Sequence, residues 1–259
     1  MKKLVALLLV LIFVLSVAAC SEQEELPPEE NVSEPFSESS EQSEEAKEIE
    51  EPVSKEEQEI KPLPEINGEP LSEEEIEFFN DMLNPIEVDE GYLEQNPWGH
   101  FFMSYYDEVW EINFPSFIYY FPSDGSKVEE EEFQKLREVE AWGFENCKTL
   151  EDMPVPVHSI SKKEVDSVLM KYAGITSDDL DTSEIAYLEE YDCYYSSASD
   201  WAWGMFICSG GERVGNTIYL YGESELSFNS ESEGTTDMLV LVEEEGEYRV
   251  VSHQHYAIS

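Results

Sequence analysis

Residues 21–65 cannot contribute to a core, and this limits where the chain can fold. The stretch holds 17 Glu against Lys47, Lys55 and Lys61, a net charge of −14, and Ser, Pro and Gln fill most other positions. So few apolar residues cannot bury enough surface to offset the entropy of ordering. Pro27, Pro28, Pro35, Pro52, Pro62 and Pro64 also oppose continuous helix. We therefore expect a disordered acidic tether over 20–65, spanning about 35–40 Å between its ends. The fold is then built by residues 66–259, a single extracytoplasmic domain of ordinary size.

The leader explains why a tether would be useful. Lys2 and Lys3 precede an apolar run from Leu4 to Leu15, followed by Ser16, Val17, Ala18, Ala19 and Cys20. A charged start, an apolar middle and small residues at the end are the parts of a signal peptide, here 1–19. The run is about 12 residues, well short of the roughly 20 that cross a bilayer core. Cysteine directly after Val17-Ala18-Ala19 resembles the bacterial lipobox. That resemblance implies cleavage before Cys20 and a diacylglycerol thioether on its sulfur, whereas an ordinary secretory signal needs no cysteine there. The expected address is the extracytoplasmic face of the cell membrane, with the protein anchored through lipid.

Charge narrows the partners. Lys and Arg number 14 against 60 Asp and Glu, a formal net charge of −46. Nucleic acid is excluded as a partner, since phosphate binding needs cations. Direct adhesion of the folded part to anionic lipid is disfavoured. The acidity serves solubility outside the cell or attraction of cations and basic peptides, and the composition leaves both open.

Within 66–259 the capping signals come early. Ser72 and Glu75 form a capping box ahead of Ile76, Phe79, Met82 and Leu83 at helical spacing, and Asn84-Pro85 stops the helix. A second helix is expected over 128–142, with Phe133, Leu136 and Val139 on one face. A third follows a Ser161–Glu164 box and ends at Gly174, with a short helical turn at 177–180 led by Thr176. Past about Tyr191 the pattern changes to short β runs at 191–197, 203–209, 216–221, 238–243 and 247–257, and Glu245-Gly246 suits a hairpin turn. Helices first and strands later predict an α+β fold, with about three N-terminal helices packed on a C-terminal antiparallel β-meander.

Three groups of residues are candidates for chemistry. Cys193 and Cys208 are symmetric about residues 200–201. A hairpin centred there would place them opposite one another as a candidate disulfide; otherwise both are small buried hydrophobes. Eleven aromatics fall between Pro97 and Phe121, and Tyr194, Tyr195, Trp201 and Trp203 follow later. Aromatics supply core area, or they face a ligand. Trp201, Trp203, Tyr194 and Tyr195, near the expected hairpin tip, are the candidate ligand-binding residues. His253 and His255 are two apart on an expected strand and share a face, but a zinc site needs further ligands. The acidic run Asp178, Asp179, Asp181 and Glu184 does not match a calcium loop. Nucleophile-elbow, phosphate-loop, dinucleotide-binding and metalloprotease motifs do not occur.

Three further stretches carry a likeness: Asn96-Pro97-Trp98 with Tyr106-Asp107-Glu108, the segment Pro156 to Ser161, and Tyr187 to Asp192 with Tyr194-Tyr195. With the leader, they resemble an uncharacterised lipoprotein family of Clostridia-like Gram-positive bacteria. The likeness implies an address and a fold but no mechanism. The expectation is a membrane-anchored surface lipoprotein, monomeric and without cofactor, that binds a ligand or protein of the envelope or exterior without catalysis. The alternative is a cell-envelope hydrolase acting on glycan or peptide, through a carboxylate pair or a His-ligated metal.

Overall fold

The computed structural model describes residues 60–89, 92–119, 121, 127–197, 204–228 and 234–258, all within one compact unit, Glu56–Ser259. The signal sequence, Cys20 and the tether as far as residue 59 lie outside the described residues, as do Trp201 and Trp203. The last residues of the expected tether are ordered instead: Leu63 N donates to Ala257 O at 3.0 Å, Ala257 N donates to Lys61 O at 2.9 Å, and Leu63 packs against a buried cluster.

Antiparallel sheet dominates. Among the described residues, ten strands form three sheets. The largest has the order β1 (Glu69–Pro70), β7 (Phe206–Val214), β8 (Thr217–Ser224), β9 (Thr235–Glu244), β10 (Glu247–Ala257). A second has the order β4 (His158–Ser161), β6 (Cys193–Ser196), β5 (Tyr187–Leu188), and a third pairs β2 (Ile86–Asp89) with β3 (Tyr92–Glu94). The helices are short: α1 (Glu73–Leu83), α2 (Phe114–Tyr119), α3 (Glu130–Leu136), α4 (Lys162–Ala173) and α5 (Glu225–Phe228). The expected α+β arrangement, with a block of three N-terminal helices on one C-terminal meander, is thereby overturned. Helices are dispersed among strands, one as late as residues 225–228. No helix among the described residues is long and apolar enough to cross a membrane.

Local physics explains each departure. Ser161 carries no side-chain cap; it ends β4, and Lys162 N donates to Asp192 O at 3.0 Å. Ser161 thus stands at the N-cap of α4 as expected, but the capping-box bonds with Glu164 do not form. The helix expected to reach Trp142 stops at Leu136. Tighter turns follow, with Val139 N on Leu136 O and Trp142 N on Val139 O, both 3.0 Å. They swing Trp142 edge-on to Phe133.

Where caps are undisputed, the elements form as their sequences dictate. Ser72 Oγ accepts from Glu75 N at 3.3 Å, and Ser72 N donates to Glu75 Oε2 at 2.9 Å. Gly174 ends α4 at φ 73°, where glycine avoids a Cβ clash. Glu245 and Gly246 both take positive φ, as a two-residue hairpin loop matching strand twist requires.

Two asparagines, Asn80 within α1 and Asn84 at its C-cap, dock it to β7. Asn80 exchanges both bonds with the Cys208 backbone (3.0 and 2.8 Å) and Asn84 with that of Phe206 (2.8 and 2.9 Å). Four residues of helix rise about 6 Å and two of strand about 6.6 Å, so the spacings match. The side-chain amides thus extend the sheet's hydrogen bonding onto the helix.

The main core lies on one face of the large sheet. Ile218, Leu220, Leu239, Leu241 and Val250 meet Phe79 and Leu83 of α1, Val165 and Leu169 of α4, and the aromatics of the 97–121 segment. Trp98, Phe101, Phe102, Tyr106, Phe114, Phe117 and Phe121 are buried there, each contributing roughly 1.5–3 kcal/mol through area removed from water. Core packing thus accounts for most of the aromatic segment. Trp110, Tyr105 and Tyr119 remain exposed. A second cluster, around Phe133, Leu136, Trp142 and Tyr195, packs on the three-stranded sheet.

Candidate functional site

The β9–β10 register puts His255 opposite Asp237 and His253 opposite Leu239. Side chains two apart share a face, so Asp237 continues the row of Leu239 and Leu241 toward the end of the core. The outer edge of β10 is covered by the chain at Tyr106, which pairs with His253 through both backbone bonds (2.7 and 3.1 Å). That pairing carries Ser104 and Tyr105 onto the same spot.

Asp237 is wholly buried and fully engaged. Its Oδ1 accepts from His255 Nδ1 at 2.6 Å and from the Tyr105 hydroxyl at 3.0 Å, and its Oδ2 accepts from Ser224 N at 2.8 Å. Burial alone would raise its pKa. Hydrogen bonds from Ser224 and His255 and the field of His253 outweigh burial and hold the carboxyl below its usual range. The anion in turn, added to burial, raises the Tyr105 phenol.

The two histidines differ. His253 is fully buried, and its Nδ1 lies 2.8 Å from the Ser104 carbonyl oxygen, so that nitrogen carries the proton. Burial lowers its pKa despite the pull of Asp237. Its Nε2 lies 4.0 Å from Asp237 Oδ2 and makes no hydrogen bond. His255 is 16% exposed at the side chain. Tyr105 packs against both imidazoles, with ring centroids 4.9 and 5.3 Å away.

His255 and Tyr105 open onto a cleft of about 550 Å³ lined also by Ile60, Lys61, Tyr106, Asp107, Glu111, Gln254 and Tyr256. Its walls are braced. Glu111 accepts from the backbone of Asp107 and Glu108, both at 3.2 Å. Gln254 donates to Asp107, and the Tyr106 hydroxyl to the Phe101 carbonyl at 3.2 Å.

No family model, curated protein or solved structure matches this chain.

Of the candidate ligand-binding residues, Trp201 and Trp203 lie outside the described residues. Tyr194 and Tyr195 are buried, 3% and 2% exposed, in two different clusters. Tyr195 donates its hydroxyl to Glu132. Neither offers a face to a ligand, and the expected hairpin with a tip at 200–201 does not form. β6 pairs with β4 and β5, whereas β7 pairs with β1 and β8. Cys193 and Cys208 therefore lie in separate sheets and are not bridged to one another, which corrects the candidate disulfide. Burial, relieved only in part by the Gly210 carbonyl, raises the Cys208 thiol to about 11. The acidic run serves local turns: Asp179 caps Thr176, Asp181 accepts from Ser183 N, and Asp178 pairs with Lys162.

His253 and His255 do share a face, but not as a zinc site. A separation of 2.6 Å from His255 Nδ1 to Asp237 Oδ1 is a hydrogen bond, too short for two ligands at tetrahedral angles around one ion. Among the described residues, no group of three or more His, Cys, Asp or Glu is arranged to hold a metal. Asp237 escapes the sequence reading because the expected strand begins at Met238, one residue past it. The available signal was its position, a lone carboxylate interrupting the apolar row of a buried strand.

Proposed function

We propose that this chain is a lipid-anchored extracytoplasmic module that binds an envelope or extracellular ligand in the cleft at Tyr105 and His255. The cleft carries the reading. It is large enough for a small molecule or a short polymer end, and aromatic and polar side chains converge in it on a braced wall. The lipobox resemblance at Val17-Ala18-Ala19-Cys20 and the acidic segment behind it support membrane attachment through lipid, with the domain held away from the surface as a monomer. A net charge of −46 favours neutral or cationic ligands over anionic ones.

Screening glycans and peptides against the full-length protein in detergent micelles, with histidine NMR signals as reporter, tests the site. A ligand is expected to shift the His255 resonances. It should lose roughly tenfold in affinity when the exposed ring is removed in Tyr105→Ala. Ligands that bind with His255 unmoved and Tyr105→Ala indifferent would place recognition elsewhere.

A further inference from the structure

We propose that His255 and Asp237 form a general-base dyad that activates water against a carboxylic ester held in the cleft. The inference goes beyond binding and rests on the cleft being the ligand site.

Asp237 fixes the imidazole. By accepting the Nδ1 proton at 2.6 Å it leaves the Nε2 lone pair as the basic position of the ring. The carboxylate is itself held by the Tyr105 hydroxyl and Ser224 N–H, so the ring has little freedom to turn. Both residues sit opposite one another in a regular strand pair, a more rigid platform than a loop. Of the four histidines, His255 alone combines a bond to a buried carboxylate with a place in the wall of the cleft. His100 and His253 are enclosed, and His158 lies on β4.

The step balances without a further reactant. Nε2 takes a proton from water while the water oxygen forms a bond to the acyl carbon and the carbonyl pair moves onto oxygen. On collapse the bond to the alkoxy oxygen breaks, and that oxygen takes the proton back from Nε2. The products are a carboxylic acid and an alcohol. Lys61, the one Lys or Arg among the described residues that line the cleft, lies 3.8 Å from Asp107 Oδ2 and can oppose charge on the carbonyl oxygen. The protein's acidity disfavours phosphate esters and favours neutral or cationic acyl esters.

A pair that merely ties β10 to β9 would make the same hydrogen bond and turn nothing over. Full-length protein in detergent micelles is assayed with p-nitrophenyl butyrate across pH. Turnover with a limb rising with pH is expected. His255→Gln should lower kcat/KM at least about 100-fold, with partial recovery on adding free imidazole. Asp237→Asn should lower kcat with KM little changed. Should that buried variant fail to fold, Tyr105→Phe, which removes one donor to Oδ1, should lower kcat a few-fold. Turnover unchanged in His255→Gln, or no faster than with an equal concentration of free imidazole, overturns the dyad. The matching ketone, which cannot be hydrolysed, separates the two readings. If it shifts the His255 signals while the ester is not turned over, the dyad fails and cleft binding stands. If neither occurs, both fail.

Discussion

His100 shows what burying one titratable ring does to a fold. It stacks on Phe121 with centroids 4.6 Å apart, touches Phe117, and leaves Nδ1 without a partner. Burial, only partly offset by a hydrogen bond to the Phe117 carbonyl, lowers its pKa from 6.5 to about 4. The unfolded chain therefore binds this proton first, and acid favours unfolding. The contribution is intact above about pH 6.5 and is lost as pH falls toward 4. Between pH 7 and 4.5 it amounts to about 2–3 kcal/mol. His100→Phe keeps the stack and removes the proton. Urea unfolding should find its stability at pH 7 within about 1 kcal/mol of the parent, with the loss on going to pH 4.5 smaller by about 2–3 kcal/mol. An unchanged pH dependence would show that His100 is not the ring being titrated. Residues of this kind are hard to read from sequence. Tyr194 and Tyr195 look like ligand contacts if they stand near a hairpin tip; instead they are buried in two different core clusters, Tyr194 against Phe114 and Tyr187. Asp237 looked like one acid among 60, because its three donors come from positions 105, 224 and 255, far apart along the chain.

At the scale of elements, close approach of backbones decides what is tolerated. β7 bulges between Cys208 and Gly210, which draws β8 in at Gly222. A Cβ built there would lie 2.1 Å from the Ile207 carbonyl oxygen, whereas one on Gly210 would meet nothing within 4 Å. Gly222→Ala should therefore cost about 3 kcal/mol, since backbone must move to make room. Gly210→Ala should be neutral or slightly stabilising, within about 0.5 kcal/mol, because the unfolded chain loses freedom at no native cost. Chemical denaturation of the two variants side by side checks the pair, and equal effects would rule out the bulge as the cause. The same scale explains what the sequence conveyed. The box at Ser72, the glycine at 174 and the Glu245-Gly246 turn were legible because each acts within four residues. The partners of β6 and β7 are not legible, because β runs adjacent in sequence suggest a hairpin while the chain passes from one sheet to another. Short strands such as β1 and β5 carry too few residues for an alternating pattern to appear.

For the whole molecule, the proposed address and the proposed activity draw on different parts of the chain. The site depends on contacts across 132 positions, as between Tyr105 and Asp237; the proposed anchor rests on four consecutive residues, Val17 to Cys20. That asymmetry makes the anchor testable without disturbing the fold. A chain carrying −46 charges is repelled by anionic lipid, so surface charge opposes membrane retention. Two acyl chains on one sulfur suffice for stable attachment, since each buried methylene contributes about 0.8 kcal/mol. The parent protein should therefore stay with membranes through a high-salt wash, which screens charge and leaves acyl burial intact. Cys20→Ser should move it into the soluble or culture fraction while its melting temperature stays the same. Retention of Cys20→Ser on membranes would mean that the leader itself remains as the anchor. Release of the parent protein by salt would mean that a charged partner, rather than lipid, holds it in place.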